Sequence, residues 1–569
     1  MNQYAFDKYP EKRFSDIPAV QGWDEIRAQL LAACGGKGVI TAECYPGTNI
    51  EEVATELQKT GAAMFNAEDC ALPKMQYLDR VREFLTDDRV FGIMNTLRLE
   101  DVFVAEKCAA MRQQIAGQEG LAIVYGVGAS LIAQGDILAY FDMPRWEIQC
   151  RFRAGAPNWN TDNPREEFLR KFKQGYFLEW RMADRLKRKL LPQMDFVLDT
   201  VKPGQPAMVS GEGFRRALQQ FAGEPFRLVP YYAPEVWGGQ WMKEVCGLDR
   251  SIKNYAWAFD GVPEENSVFM RFGDVRMEFP SLDILFYCPR ALLGERVHAR
   301  FGDEFPIRFD FLDTMGGQNL SLQVHPITEY IQHTFGMHYT QDESYYILDC
   351  GEDAVVYLGL REGIGPKAML ADLKRAQADG AEFPVASYIN TFPAKKHDHF
   401  LIPAGTVHCS GKDTMVLEIS ATPYIFTFKL WDWGRLGLDG RPRPVHIAHG
   451  EQVIQWDRTT AWVRENLVNH IETVYEDAQY KEERTGLHQL QFIETRRCHL
   501  RGARRCQSNG SVSMCNVVDG SGAVVTSPIG AFEPFTVHYA ETFILPAHVT
   551  EFELRPLDNW CTVLRAWVR

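Results

Sequence analysis

The pattern that most restricts how this chain can fold is a change of texture near Gly223 to Pro230. Before it, apolar strands alternate with helical stretches. Gly38-Val-Ile-Thr-Ala reads as a strand, and a helical pattern runs from Ile50 to Lys59 behind a Pro-Gly-Thr-Asn turn. Leu121 to Tyr125 reads as a second strand entering Gly126-Val-Gly128, and Asp136 to Phe141 as a third ending at Asp142-Met-Pro144. After the change come short strands, many aromatics and regular Gly, Pro and Asp turns, with one helical interval near Gly365 to Ala378. A chain of 569 residues exceeds one hydrophobic core, so these textures predict a multidomain protein, α/β first and mainly β afterwards.

The second part contains a repeat. Phe400-Leu-Ile-Pro-Ala404 recurs in sense as Phe543-Ile-Leu-Pro-Ala547, which predicts two related β-barrels. Superposing the copies puts His408 on Glu551, and no His-x-His or Gln-x-His precedes Glu551 at the matching distance, so the second barrel reads as structural.

Several partners are disfavoured by composition. The net charge is −14, and no Lys/Arg cluster with interleaved aromatics could follow a phosphate backbone, so nucleic acid is not expected. The most apolar stretch, Leu121 to Phe141, is broken by Gln134 and Asp136, and no membrane span is expected. The amino terminus lacks the pattern of a secretory signal. Thirteen scattered cysteines without a Cys-x-x-Cys pair fit a reducing cytoplasm.

The chemistry is carried by four residues. Gln323 and His325 lie in the alternation Leu320 to Val324, where a period of two turns both side chains to one face. Glu343 opens the apolar strand Ser-Tyr-Tyr-Ile-Leu348, and Pro403-Ala-Gly-Thr-Val-His408 sets a histidine behind a tight turn. Each histidine taken singly reads as a hydrogen-bonded core residue. Together, two imidazoles, one carboxylate and one amide describe a mononuclear site with an open position, best read as Zn2+, one per chain, with iron, manganese, nickel or cobalt able to occupy the same donors. Cys409, next to His408, falls on the opposite strand face.

Ser321-Leu-Gln-Val-His-Pro326 and Ile402-Pro-Ala-Gly-Thr-Val-His408 closely resemble the class I mannose-6-phosphate isomerases of the cupin superfamily. So do Tyr232-Ala-Pro-Glu-Val-Trp-Gly-Gly239, Val416-Leu-Glu-Ile419 and Lys429-Leu-Trp-Asp-Trp433, and the resemblance covers roughly residues 226 to 569. It implies a metal-binding catalytic cupin domain over 226–450 and a second, metal-free cupin-like domain over 451–569, both jelly-roll barrels with a small helical insertion. The implied activity is zinc-dependent interconversion of mannose 6-phosphate and fructose 6-phosphate through a cis-enediol, with proton transfer between C1 and C2.

The surroundings of the ligands depart from that family. Gln341 stands where the family commonly has Lys, Thr422 to Phe428 lacks the family's Asp, and Lys429 replaces an Arg, which alone offers a planar fork to phosphate or an enediolate. Lys429 is expected near the sugar or phosphate as a catalytic and substrate-binding cation, or as a solvated strand-end lysine. Gln341 and Arg435 are candidates for substrate binding, and Lys395 and Lys396 are further cations. Glu418 is a candidate base or a structural partner. His397 and His399, flanking Asp398, are expected to be exposed, and His538 to be surface or packing. Two rivals remain: a metal cupin isomerase for another sugar, and a non-catalytic sugar-sensing or scaffold cupin.

Residues 1–225 are similar in element order to small nucleoside kinases. The turn Glu43-Cys-Tyr-Pro-Gly-Thr-Asn49 lacks the Lys of a phosphate-binding P-loop, so the expectation is a degenerate nucleotide fold or scaffold.

Overall fold

A computed structural model describes residues 5–421, 424 and 426–569. Of the segment read for the missing Asp, Thr422, Pro423 and Ile425 lie outside the described residues. The chain forms two compact units, both discontinuous in sequence. One comprises Glu11–Phe221 and Ser267–Cys288, and the other comprises residues 5–10, Ala222–Asn266 and Pro289–Arg569. A linear division at 225/226 therefore misses an excursion. Residues 267–288 lie in the second half of the sequence but fold with the first unit.

The first unit is built on a seven-stranded sheet. Five strands run parallel in the spatial order Ala63–Asn66, Leu121–Gly126, Gly38–Cys44, Ile137–Asp142, Phe196–Asp199, and two antiparallel strands, Ala207–Ser210 and Ala19–Gln21, complete one edge. The three strands read from sequence are the centre of this sheet. They are buried on both faces, so they appear as apolar runs rather than alternations. The helix Ile50–Gln58 starts where Asn49 accepts the Glu52 amide hydrogen, and its Val53 and Leu57, four residues apart, face the core. The excursion forms a hairpin, Ser267–Phe272 and Val275–Pro280, whose first strand lies parallel to Glu11–Phe14. Phe272 stacks on Phe14 with ring centroids 5.3 Å apart, and Phe279 meets Phe214 at 4.6 Å.

In the other unit, a six-stranded sheet in the order His399–Ile402, Asp342–Cys350, Thr414–Ala421, Arg308–Asp313, Trp257–Gly261, Tyr231–Ala233 accompanies a five-stranded sheet. The latter runs Ile389–Pro393, Val355–Leu360, His408–Ser410, Leu322–Val324, Phe428–Trp431. Among the described residues, every strand pairing in both sheets is antiparallel. The helix Pro366–Asp379, close to the predicted interval, begins on proline at its first position and ends on Gly380 in the left-handed conformation. Beyond residue 470 a second pair of antiparallel sheets, of six and four strands, encloses an apolar core that includes Val517, Phe543, Leu554 and Val563. The repeated motif matches in structure: His399–Ile402 and Thr542–Leu545 are each a buried strand that runs into a Pro-Ala pair. Glu551, the counterpart of His408, is exposed.

Among the described residues, no helix is long and apolar enough to cross a membrane, and the thirteen cysteines are all free.

Candidate metal centre

The four candidate ligands meet where the two sheets of the first barrel approach. Gln323 and His408 are direct partners on adjacent strands of the five-stranded sheet, and Glu343 comes from the six-stranded sheet. His325, Glu343 and His408 are almost completely buried, and each presents a ligand atom within 4.8 Å of the others. Glu343 Oε2 lies 3.0 Å from His325 Nε2, Glu343 Oε1 lies 2.7 Å from His408 Nε2, and Gln323 Nε2 lies 3.2 Å from the same His408 atom. Among the described residues this is the one cluster of three or more histidine, cysteine or carboxylate side chains with that geometry.

Whether such a cluster suits a cation depends on where the imidazole protons are. His325 Nδ1 sits 2.8 Å from the Phe426 carbonyl oxygen, and His408 Nδ1 sits 2.8 Å from the Thr406 carbonyl oxygen. A carbonyl can only accept, so each Nδ1 carries its proton, and in the neutral ring that binds a metal each Nε2 has a lone pair. Both lone pairs point at a carboxylate, which is acceptor against acceptor in a buried pocket. A divalent cation relieves that conflict. Outer hydrogen bonds that fix tautomer and ring orientation are the usual support of metal-binding histidines, and the donor set fits zinc.

The turn before His408 is held from outside. Gly405 has φ +89°, and a Cβ there would meet Gln455 and the Val453 carbonyl. The buried Arg458 guanidinium donates to the Pro403 and Ala404 carbonyls, each at 2.7 Å.

The expected substrate residues separate. Gln341 is held at both ends of its amide: its Nε2 donates to Glu343 Oε2 at 3.0 Å and its Oε1 accepts from the Phe426 amide at 2.9 Å. It orients the Glu343 carboxylate and also lines a small cavity beside Gln323. Arg435 spends its donors on its own turn, on the Asn319 carbonyl at 2.6 Å and on the carboxylate and carbonyl of Asp432. Lys429 pairs with Gln323 across the strands and so shares its face. Burial, and next the Arg443 charge, bring the Lys429 ammonium down to about 8. Glu418 lies opposite Asp310 on one strand and Tyr345 on the other, facing the barrel interior beside Glu343. Burial and the Asp310 carboxylate push it well above the normal carboxyl range.

Three expectations are settled by burial and pairing. His399 is fully buried, not exposed: it begins a strand that pairs with Tyr346, and burial pushes its imidazole down to about 3. His397 is half-buried, held by Tyr346 Oη at 2.9 Å and Asp519 at 2.9 Å. Lys396 is paired with Asp519 at 3.1 Å, Lys395 is exposed, and His538 is partly exposed beside Glu541.

Sequence reasoning passed over Arg308, Asp310, Arg443 and Arg458. Arg308 and Asp310 stand at alternate positions of the strand Arg308–Asp313, a period-two polar signal that gains meaning only when the strand is seen to pair with Glu418 and Ser420. Arg443 binds Asp432 at 3.0 Å and Ser321 Oγ at 3.1 Å, within the Asp432 network that also holds Arg435.

In the first unit, the turn lacking a P-loop lysine sits at the carboxyl end of the central strand. The Gly128 and Ser130 amides donate to Glu43, each at 2.7 Å, and the Val127 amide donates to Glu68. Carboxylates of the chain thus fill the kind of amide nest that elsewhere receives an anion. Burial raises Glu43 to about 7. A Cβ on Gly128 would strike the Phe103 ring, so packing accounts for that glycine. Lys187, fully buried, is ion-paired with Asp142 at 2.7 Å and also with Asp283 of the excursion.

A family described as a domain of unknown function, DUF8485, matches residues 22–223. The chain is similar to mannose-6-phosphate isomerase ManA of Bacillus subtilis, 25% identical over 332 residues, which are 58% of this chain and 96% of that protein. It is also similar to the mannose-6-phosphate isomerase of Streptococcus mutans, 24% identical over 338 residues, 58% of this chain and 95% of the relative. Among solved structures, the mannose 6-phosphate isomerase from Bacillus subtilis superposes with a TM-score of 0.49 at 18% identity, covering 60% of this chain and 99% of that one. A zinc-bound mannose 6-phosphate isomerase superposes at 0.47 and 15% identity, covering 61% and 99%.

Proposed function

We propose that this chain is a metal-dependent aldose–ketose isomerase of the class I mannose-6-phosphate isomerase type, acting in the cytoplasm on a phosphorylated hexose. Its reaction on this reading interconverts mannose 6-phosphate and fructose 6-phosphate through a cis-enediol. The observation that carries the reading is the pair of histidines whose Nδ1 atoms are committed to backbone carbonyls while both Nε2 atoms converge on Glu343. The named activity of the curated relatives supports it.

Gln323, His325, Glu343 and His408 would hold the ion, best read as zinc. When bound, it supplies Lewis-acid polarisation of the sugar oxygens at C1 and C2. The chain does the rest. Gln341 and the two backbone carbonyls fix the ligands. Glu418 faces the same interior and is the candidate carboxyl for moving the proton between C2 and C1. Lys429 supplies positive charge beside Gln323 for the enediolate or the phosphate.

Metal content of the purified chain, together with mannose 6-phosphate isomerase turnover with and without chelator, tests the proposal beside His408→Ala. Turnover that chelator abolishes and the variant lacks supports it. Bound metal without turnover moves the function to a second reading, a cupin isomerase for another sugar or a sugar-sensing cupin. One observation favours that rival: the Arg435 donors are spent on the Asp432 turn.

For residues 1–225 we propose a scaffold derived from a nucleotide fold and without kinase activity. The absent P-loop lysine and the Glu43 carboxylate lying on the Gly128 and Ser130 amides support it.

A further inference from the structure

Next to Gln323, on the side of the six-stranded sheet, the barrel interior contains a small polar cavity of about 10 Å³. Its wall includes Trp257, Phe259, Arg308, Asp310, Glu418 and Thr427. Strand register explains why these side chains converge. Asp310 faces Glu418 on one neighbouring strand and Phe259 on the other, Trp257 stands two residues from Phe259, and Arg308 stands two residues from Asp310. The aromatic wall is rigid: Phe259 stacks on Trp257 at 5.6 Å and on Tyr231 at 4.7 Å. Glu265 braces the guanidinium of Arg308 at 3.6 Å and is itself held by Tyr231 Oη at 2.8 Å.

The cavity's size and charge select what can enter. A volume of about 10 Å³ is close to the smallest that admits one water-sized group. A phosphoryl group is several times larger, and the Arg308 charge is already directed at Glu265. A neutral hydroxyl fits: it can donate to a carboxyl oxygen and accept from the guanidinium while its carbon lies against an aromatic face. Asp310, Glu418 and Gln323 keep 4%, 5% and 6% of their surface, whereas His325 and His408 keep none.

We propose that this cavity is a hydroxyl-binding subsite that receives one uncharged hydroxyl of the sugar chain beside the metal, with Asp310 as its specificity-determining residue. The inference rests on the isomerase reading and adds the direction in which the substrate lies: its polyol portion toward Asp310, any phosphate away from it.

The test uses the full-length, metal-loaded chain with mannose 6-phosphate and its 3-deoxy and 4-deoxy analogues, in wild type, Asp310→Asn and Asp310→Leu. One deoxy analogue should lose at least about tenfold in kcat/KM in wild type, because a site built to bond a hydroxyl rejects the analogue that lacks it. Asp310→Leu fills the cavity and should erase that discrimination, Asp310→Asn should retain part of it, and metal content should match wild type in both. Equal discrimination in wild type and Asp310→Leu, or none in wild type, overturns the subsite. Should wild type turn over no sugar phosphate, the isomerase reading fails separately, and calorimetry with mannitol decides the cavity. Binding weakened at least about tenfold by Asp310→Leu sustains a hydroxyl subsite, and absence of binding refutes it.

Discussion

Gln323 and His408 stand directly opposite each other on antiparallel neighbours, with their Nε2 atoms 3.2 Å apart. Two candidate ligands delivered by backbone pairing need no long side chain to be immobilised, so the proposed centre is preorganised by the same hydrogen bonds that build the sheet. Removing either histidine or the carboxylate should therefore abolish metal retention while leaving the fold. His408→Ala and Glu343→Gln are expected to purify with less than about a tenth of the wild-type metal, and Gln323→Ala, which removes the weakest donor, with an intermediate amount. Elemental analysis after dialysis, with circular dichroism to verify folding, checks this.

Gln341→Leu should weaken metal binding without touching a ligand. The substitution leaves Glu343 Oε2 and the Phe426 amide without their partner, and the loss of an outer-shell orienter typically costs about 10–100-fold in affinity. Competition against a chelating indicator measures it, and an unchanged affinity would remove Gln341 from this role.

Arg458→Ala tests the turn. The guanidinium satisfies two buried carbonyls, each such bond to a charged donor being worth about 1.5–3 kcal/mol, so the variant should unfold at a lower temperature and hold metal less tightly. Arg458→Lys offers a point charge in place of the fork and should recover only part of the loss. Thermal unfolding followed by fluorescence reads the difference.

The pH dependence of turnover should show Lys429. Its ammonium is lowered to about 8, by burial first, so the charged form prevails below that pH and is lost above it. Activity that needs this charge should fall through an alkaline limb near pH 8. In Lys429→Arg the limb should move beyond the measurable range, because guanidinium stays protonated. A pH–rate profile that retains the limb in the arginine variant excludes Lys429 as its source.

What could be read in advance follows the range of the interactions. Gln323 and His325 were visible because a strand imposes a period of two, and the turn at Pro403-Ala-Gly-Thr because proline and glycine mark backbone directly. Central strands such as Leu121–Gly126 were visible as apolar runs. The partners of Glu418 were not, because register between strands a hundred residues apart is written in no local pattern. The same limit explains His399, which looks like part of a polar turn around Asp398 until its pairing with Tyr346 is known. Gln341 and Arg435 were chosen for their chemistry, and the structure shows that chemistry spent on Glu343 and Asp432.

The excursion Ser267–Cys288 means that this chain cannot be divided by one cut. A fragment ending near residue 225 would keep Lys187 in an apolar interior with one of its two carboxylates gone, and would bare the surfaces that Phe272 and Phe279 cover. A fragment beginning there would carry an orphaned hairpin, with Met270, Phe272, Met277 and Phe279 stripped of the core that now buries them. The two halves therefore depend on being made together: loss of the first by deletion or proteolysis would leave the second with a sticky loop.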